Sequence, residues 1–437
     1  MDCLVYRSPH LEDLNLRQFT THQQTSMFKP TPTQQQFIEN YKLGKRAGVF
    51  MANTTCDRFV GRKMSINGRE LVSYASCSYL GLDLDQRVIE SSIDFTRRYG
   101  TTFSSSRAYL QHGIHEELEE QLETAFGGPC IIGPSTTLSH FSVFPALICK
   151  ADAIVADRQA HNSLRDAIVS MKGRGVHTEV LPHNDMAALR DRLEKLCASY
   201  ERVWYVADGV YSIYGDTAPF TTIKGFLDEF PNLVAYVDDA HGMGWTGQHG
   251  RGLALQELGH HERLIFVTSL NKAGASGGGL MVFPDQPTKD LVRSTGKTLT
   301  FSGPLTPGQL GALKAVTSIL LSPEITELQQ ELYGLCLHFA ILAKEKNLKI
   351  IDDSISPIFY VSIGDPQSLA EVSSLLQHNH GIFVTPTGYP AVPKDQCGIR
   401  ITLTRLHTMD QIEALVNAIA IESKAVLSRK RNAKELH

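Results

Sequence analysis

None of the eight cysteines stands in a CxxC pair. Neither a zinc ribbon nor a disulfide framework therefore organises the chain, and scattered thiols suit a reducing compartment. No run approaches the roughly 18 apolar residues of a membrane helix, so no membrane span is expected. The first residues, MDCLVYRSPHLEDLNLRQ, carry Asp2, Glu12 and Asp13 and no apolar stretch, so no signal peptide is expected either. Charge of one sign is scarce. A net of −4 over 437 residues gives no reason to expect a nucleic-acid or membrane-surface partner. The basic run SRKRNAK, Ser428 to Lys434, suits a helix C-terminus. These absences leave a cytoplasmic globular protein, long enough for more than one domain.

The sequence does hold alternation. ADAIVAD, RVWYVADG, LVAYVDDAHG, LIFVTS and GLMVF are apolar runs of strand length. Helical stretches such as DMAALRDRLEKLCASY separate them. That pattern predicts βαβ units and a mostly parallel sheet covered on both faces. Before it, HEELEEQLETAFGG places Leu118, Leu122, Ala125 and Phe126 on one helical face, with Gly127 as a stop. After about residue 305 long helices and a few strands read as a separate α+β unit. Its last helix opens at Thr408 with Gln411 three residues on, as in a capping box. The expected division is an N-terminal arm and hairpin over 1–70, with Asn67-Gly68 as its turn, a large domain over 71–305, and a small α+β domain over 306–437.

In parallel sheets chemistry collects beyond the C-terminal strand ends, and here those ends are polar. Asp238 directly follows LVAYV. A carboxylate so placed needs donors or a cation; it caps the next segment, or it holds a protonated ligand nitrogen or, less well, a metal, for which no ligand cluster is spaced. Lys272 ends LIFVTSLNK. It snorkels to water, or, enclosed and desolvated, its amine attacks a carbonyl to form a Schiff base. Lys272 lies 34 residues after Asp238, one βα unit, so adjacent strands bring both to one pocket. The SxxK of Ser269 to Lys272 matches penicillin-recognising serine enzymes, but their S-D-N and K-T-G partners are missing. SGGG, Ser276 to Gly279, lacks a phosphate-loop pattern and reads as a turn where two backbones approach closely.

Together SYLGL, AHNS, ADGVYSIYGDTAPF, VDDAHGMGWTGQHGRG and SLNKA resemble the α-oxoamine synthases, over roughly residues 70 to 420. These are fold-type I enzymes dependent on pyridoxal 5'-phosphate. They include aminoketobutyrate CoA ligase, aminooxononanoate synthase, aminolevulinate synthase and serine palmitoyltransferase. The resemblance implies Lys272 as the Schiff-base lysine, Asp238 at the pyridinium nitrogen, His241 and Ser212 at the ring's phenolic oxygen, and His161 stacked on the ring. It places Thr136, Thr137 and Ser269 at the phosphate, and Ser302 there from a neighbouring subunit, hence a homodimer with the active site at its interface. It makes Arg400, in GIRITLTRL, the ligand of the amino-acid carboxylate; strand alternation alone leaves an exposed arginine equally open.

Two departures bear on substrate choice. Cys77 stands where the family usually has asparagine. The family's glycine-rich stretch is TFSSSRAYLQHG, Thr102 to Gly113, which makes Ser106 a substrate-side candidate and is similar to the quorum-sensing α-hydroxyketone branch. The implied activity is a decarboxylative condensation of an amino acid with an acyl-CoA to an α-aminoketone, a candidate signal precursor. A standard aminoketobutyrate or aminooxononanoate enzyme, or a fold-type I aminotransferase or lyase, are the alternatives.

Overall fold

The computed structural model describes residues 28–435. The whole of MDCLVYRSPHLEDLNLRQ, where no signal peptide is expected, and the start of the expected arm lie outside them. The helix Pro32–Arg46 opens on a capping box between Thr31 and Gln34, with proline at its first position. A hairpin follows, Lys63–Ile66 with Arg69–Ser73. Ile66 pairs with Arg69, and both turn residues between them, Asn67 and Gly68, have positive φ, as a two-residue primed turn requires. Its third strand comes from far along the chain: Ile382–Phe383 pairs in parallel with Arg69–Ser73.

The large sheet has seven strands. From edge to edge they are Cys130–Gly133, Gly279–Val282, Leu264–Ser269, Leu233–Asp238, Arg202–Asp208, Asp152–Asp157 and His177–Leu181. Gly279–Val282 runs antiparallel to both neighbours and every other pairing is parallel. The predicted apolar runs are the central strands, buried along almost their whole length. Alternate side chains feed two cores. Val203, Tyr205 and Ala207 pack on one side of the sheet, and Trp204 and Val206 on the other. The helix Ile114–Phe126 buries Leu118, Leu122, Ala125 and Phe126 and stops at Gly127 in the left-handed region, φ 80°, the two leucines and Phe126 each contributing about 1.5–3 kcal/mol.

Two strands escape the sequence pattern. Cys130–Gly133 is only four residues long, and His177–Leu181 is an edge strand of half-exposed residues, so neither presents a sustained apolar run. The C-terminal unit holds an antiparallel sheet of Ile358–Gly364, Cys397–Thr402 and Thr385–Thr387. The run GIFVTP, Gly381 to Pro386, has the look of one strand but is divided between two sheets. Ile382–Phe383 joins the hairpin and Thr385–Thr387 forms an edge, where Pro386, without an N–H, is tolerated. The final helix has the expected box, with Gln411 N donating to Thr408 Oγ1 and Thr408 N to Gln411 Oε1.

The sheet's C-terminal edge is braced by an ion triad. His183 lies between Asp157 and Asp216, Nδ1 at 2.9 Å from the first and Nε2 at 2.7 Å from the second. Burial opposes the charged imidazole, but the two carboxylates prevail and raise its pKa to about 9. A raised folded pKa gives stability that is complete below the unfolded value of 6.5 and is lost as pH rises through about 9. The thermal midpoint is therefore expected to fall across that window in the native protein and to change less in His183→Gln. Equal slopes in both proteins contradict the assignment.

Candidate active site

Asp238 and Lys272 meet at the end of two neighbouring parallel strands. Asp238 is the last residue of Leu233–Asp238 and pairs in register with Val267 of Leu264–Ser269; Lys272 follows that strand by three residues. Asp238 is 4% exposed. Its Oδ2 lies 3.0 Å from His140 Nε2, and its Oδ1 accepts from Ala240 N at 3.0 Å. His140 Nδ1 in turn lies 2.8 Å from the Tyr236 hydroxyl. Burial works against the carboxylate, yet His140, Lys272 and His161 outweigh it and hold Asp238 below the usual range. A carboxylate has about four acceptor sites, so Asp238 keeps room for a further donor.

The Lys272 amine has no hydrogen-bond partner among the described residues, although its carbonyl accepts from Ala275 N. Desolvation pulls its amine below the ordinary lysine range, against the pull of Asp238, Cys77 and Asp208. Asp208 pairs with Asp238 across the strands. Two adjacent buried carboxyls do not both ionise: burial and Asp238 push Asp208 well above its normal range. Its Oδ1 accepts the backbone N–H of His161 at 2.9 Å, which fixes that residue at the head of the helix Asn162–Gly173. The His161 ring accepts from Ser163 N as a cap, its Nδ1 lies 2.7 Å from the Ser163 hydroxyl, and only part of the residue reaches solvent. Burial, partly countered by Asp238, lowers its pKa.

His241 and Tyr79 close the floor, and Arg400 forms a wall. Arg400 Nε donates to the Ser212 carbonyl, Nη1 to Thr402 Oγ1 at 2.8 Å and Nη2 to Cys77 Sγ at 3.7 Å. One N–H on each terminal nitrogen is left over, the fork that suits a carboxylate. Thr136 opens the helix Thr136–Leu147, capped by Ser135, whose Oγ accepts Leu138 N. Thr136 Oγ1 donates to the Thr268 carbonyl, so this helix N-terminus, with Thr137 exposed beside it, lies next to Ser269. A Cβ on Gly279 would fall 2.6 Å from Thr136 N. The glycine turn after Lys272 thus exists for close approach, as its sequence suggested. Asp239 is packed similarly: a Cβ on Gly209, Gly242 or Gly252 would come within 2.5 Å of its carboxylate. Burial raises its pKa to about 7.

Ser106 and Ser302 stand apart from this cluster. Ser106 Oγ donates to the Thr300 carbonyl and Ser302 Oγ to the Thr298 carbonyl; no hydrogen bond or ion pair ties either to Lys272 or Asp238. Beside the site runs a groove of about 1340 Å³. Phe37 and Tyr41 of the first helix, Phe50, Tyr214 and Pro390 line it, and His161 and Ser212 form its inner end. Sequence reading missed four residues that matter. Tyr79 lies inside SYLGL and His140 one turn into the helix Thr136–Leu147, and their inward direction depends on local phase and tertiary contact. Asp208 and Asp239 stood at strand ends, where a second carboxylate is hard to tell from a cap.

These side chains fit pyridoxal phosphate: a desolvated amine with no partner, a carboxylate kept ionised for a ring nitrogen, a neutral histidine, and a helix N-terminus against a glycine turn. Among the described residues no group of three or more acidic, histidine or cysteine side chains could hold a metal. Residues 75–419 match the family described as aminotransferase class I and II. A serine palmitoyltransferase of Sphingobacterium spiritivorum is 31% identical over 361 residues, covering 81% of this chain and 87% of the relative. An 8-amino-7-oxononanoate synthase of Maricaulis maris is 31% identical over 371 residues, covering 84% and 89%. Among solved structures, Sphingomonas wittichii serine palmitoyltransferase superposes with a TM-score of 0.82 at 22% identity, covering 90% of this chain and 97% of that one. The fold and its cofactor cradle define a fold-type I pyridoxal phosphate enzyme. With these relatives, the chain belongs to the α-oxoamine synthase family of the class I and II aminotransferases.

The close approach can be tested. Gly279→Ala is expected to cost about 1–3 kcal/mol in denaturant unfolding, because backbone lies in its way. Gly225→Ala, in open space on the exposed face of the helix Phe220–Glu229, is expected to gain about 0.5–1 kcal/mol. Equal effects at the two sites contradict this reading of the turn.

Proposed function

We propose that the protein is a pyridoxal phosphate-dependent acyltransferase that condenses an amino acid with an acyl-CoA, and that its α-aminoketone product is a medium- or long-chain signal precursor. The observation that carries the reading is the convergence of Lys272, Asp238, Arg400 and Cys77 on one buried centre, beside an apolar groove that reaches Ser212, whose carbonyl Arg400 holds. The overall reaction joins the amino acid's Cα to the acyl carbon, releases CoA as its thiol and releases the carboxylate as CO2.

Each side chain has a defined task in this reading. Asp238, backed by His140, keeps the ring nitrogen protonated. His161 covers one ring face and excludes water, and its position is set by Asp208. Thr136, Thr137 and Ser269 hold the phosphate, with Ser302 contributed by a second subunit. His241 and Ser212 serve the ring's phenolic oxygen. Arg400 grips the substrate carboxylate through its two free N–H groups, and Cys77 beside it narrows the amino-acid pocket. Bound there, pyridoxal phosphate supplies an electron sink for the pair left when a bond at Cα breaks. Lys272, its proton affinity lowered by burial, takes the Cα proton. The groove, apolar along Phe37, Tyr41 and Phe50, receives the acyl chain and leads the thioester to His161.

A homodimer is supported by apolar surface beside Ser302. Tyr109, Leu110 and Phe301 are 87%, 69% and 81% exposed, on two segments joined by the bond from Ser106 to Thr300. A single chain leaves these side chains in water, and a second copy would cover them.

Two measurements test the proposal. A panel of amino acids and acyl-CoAs is expected to release free CoA thiol and CO2 in equal amounts, with rates rising from acetyl to medium or long chains. Amino-group transfer to a keto acid without thiol release would instead identify an aminotransferase. Sedimentation is expected to give a dimer that Leu110→Glu with Phe301→Asp splits into folded, inactive monomers; an active native monomer contradicts the shared site.

A further inference from the structure

Tyr79 and His241 face each other beneath the site. Tyr79 comes from the segment before the helix Gln86–Tyr99, and His241 from the turn after Asp238. Both are buried, at 0% and 6% exposure. Tyr79 Oη lies 2.5 Å from His241 Nδ1. The rings meet edge-on, centroids 6.2 Å apart at 62°. Trp245 Nε1 donates to the His241 carbonyl at 2.6 Å and holds the same residue by its main chain.

A hydroxyl sealed from water needs an acceptor. Besides His241 Nδ1, the Tyr79 hydroxyl has the Cys77 sulfur and the Arg400 guanidinium within reach, and the guanidinium can only donate. If His241 donated from Nδ1, the phenol proton would be left to Cys77 sulfur. That is a weak acceptor already facing Arg400. The phenol therefore donates, Nδ1 accepts, and the single ring proton of His241 sits on Nε2. We propose that Tyr79 is a positioning residue that fixes His241 as its Nε2–H tautomer, so that His241 presents a donor to the ring oxygen in front of it.

Charge agrees with this assignment. Burial holds His241 well below the histidine range and Tyr79 well above the tyrosine range, so both are neutral. Cys77 and Arg400 also act on the phenol, which places Tyr79 between the substrate-carboxylate end of the site and the ring-oxygen end. The inference rests on the reading of His241 as the neighbour of that oxygen.

Nitrogen-15 spectra of histidine-labelled, cofactor-loaded full-length protein test the tautomer without any substitution, the His241 signals being those lost in His241→Asn. The expected result is a protonated Nε2 and an unprotonated Nδ1 throughout neutral pH; a protonated Nδ1 overturns the proposal. Tyr79→Phe supplies the functional arm. It is expected to shift the titration of the bound cofactor's visible band by about one pH unit, the size of one hydrogen bond. It should also lower kcat about tenfold, leave KM for the amino acid unchanged and leave the unfolding midpoint near that of the native protein. A band and titration identical to the native protein overturn the link. If His241→Asn also leaves the band untouched, the placement of His241 at the ring has failed, and the proposal with it, whatever tautomer the spectra show.

Discussion

A carboxylate and an amine taken out of water together govern this structure. Asp238 and Lys272 sit at the ends of adjacent parallel strands, where neither ion is well solvated. The carboxylate survives because His140 and Ala240 N hold it, and the amine is left with a lowered proton affinity and no partner. Such a pair gives up stability in exchange for reactivity. The surroundings can be read as the means of sustaining it. Tyr236 backs His140, Asp208 gives way by keeping its proton, and the glycine turns around Asp239 let backbone close over the strand ends.

The site divides into regions of different character. The strand ends are dry and carry the charges that set protonation. The helix N-terminus at Thr136 and the glycine turn form a polar cradle suited to an anion. The groove along Phe37, Tyr41 and Phe50 is apolar and open. Tyr79 and Arg400 connect these regions: Arg400 joins the C-terminal sheet to Ser212 and Cys77, and Tyr79 joins the same neighbourhood to His241. The C-terminal unit is therefore part of the site's wall as well as a separate sheet, and the N-terminal hairpin is tied to it through Ile382–Phe383.

Much of this was legible in the sequence where a local rule acts. The central strands announced themselves because strands buried on both faces must be continuously apolar. Lys272 and Asp238 stood out because charge at the end of such a run is costly. Gly277 to Gly279 read as close approach because only glycine permits it. Other features depend on partners distant in sequence. His140 looks like any helical histidine until Tyr236 and Asp238 are placed beside it. The strand Cys130–Gly133 is too short to signal, and the division of GIFVTP between two sheets depends on which neighbours the chain meets. Ser106 and Ser302 lie near each other, through Thr300 and Thr298, with no bond to Lys272 or Asp238, so the roles that the resemblance implies for them do not follow from one copy of the chain.

Everything proposed for the site turns on Lys272, and no other lysine, being the reactive amine. Borohydride reduction of the native protein with pyridoxal phosphate, followed by peptide mapping, decides this. One modified peptide carrying Lys272 is expected, and no covalent label in Lys272→Ala. A label on another lysine, or a Lys272→Ala protein labelled to the same extent, would contradict it.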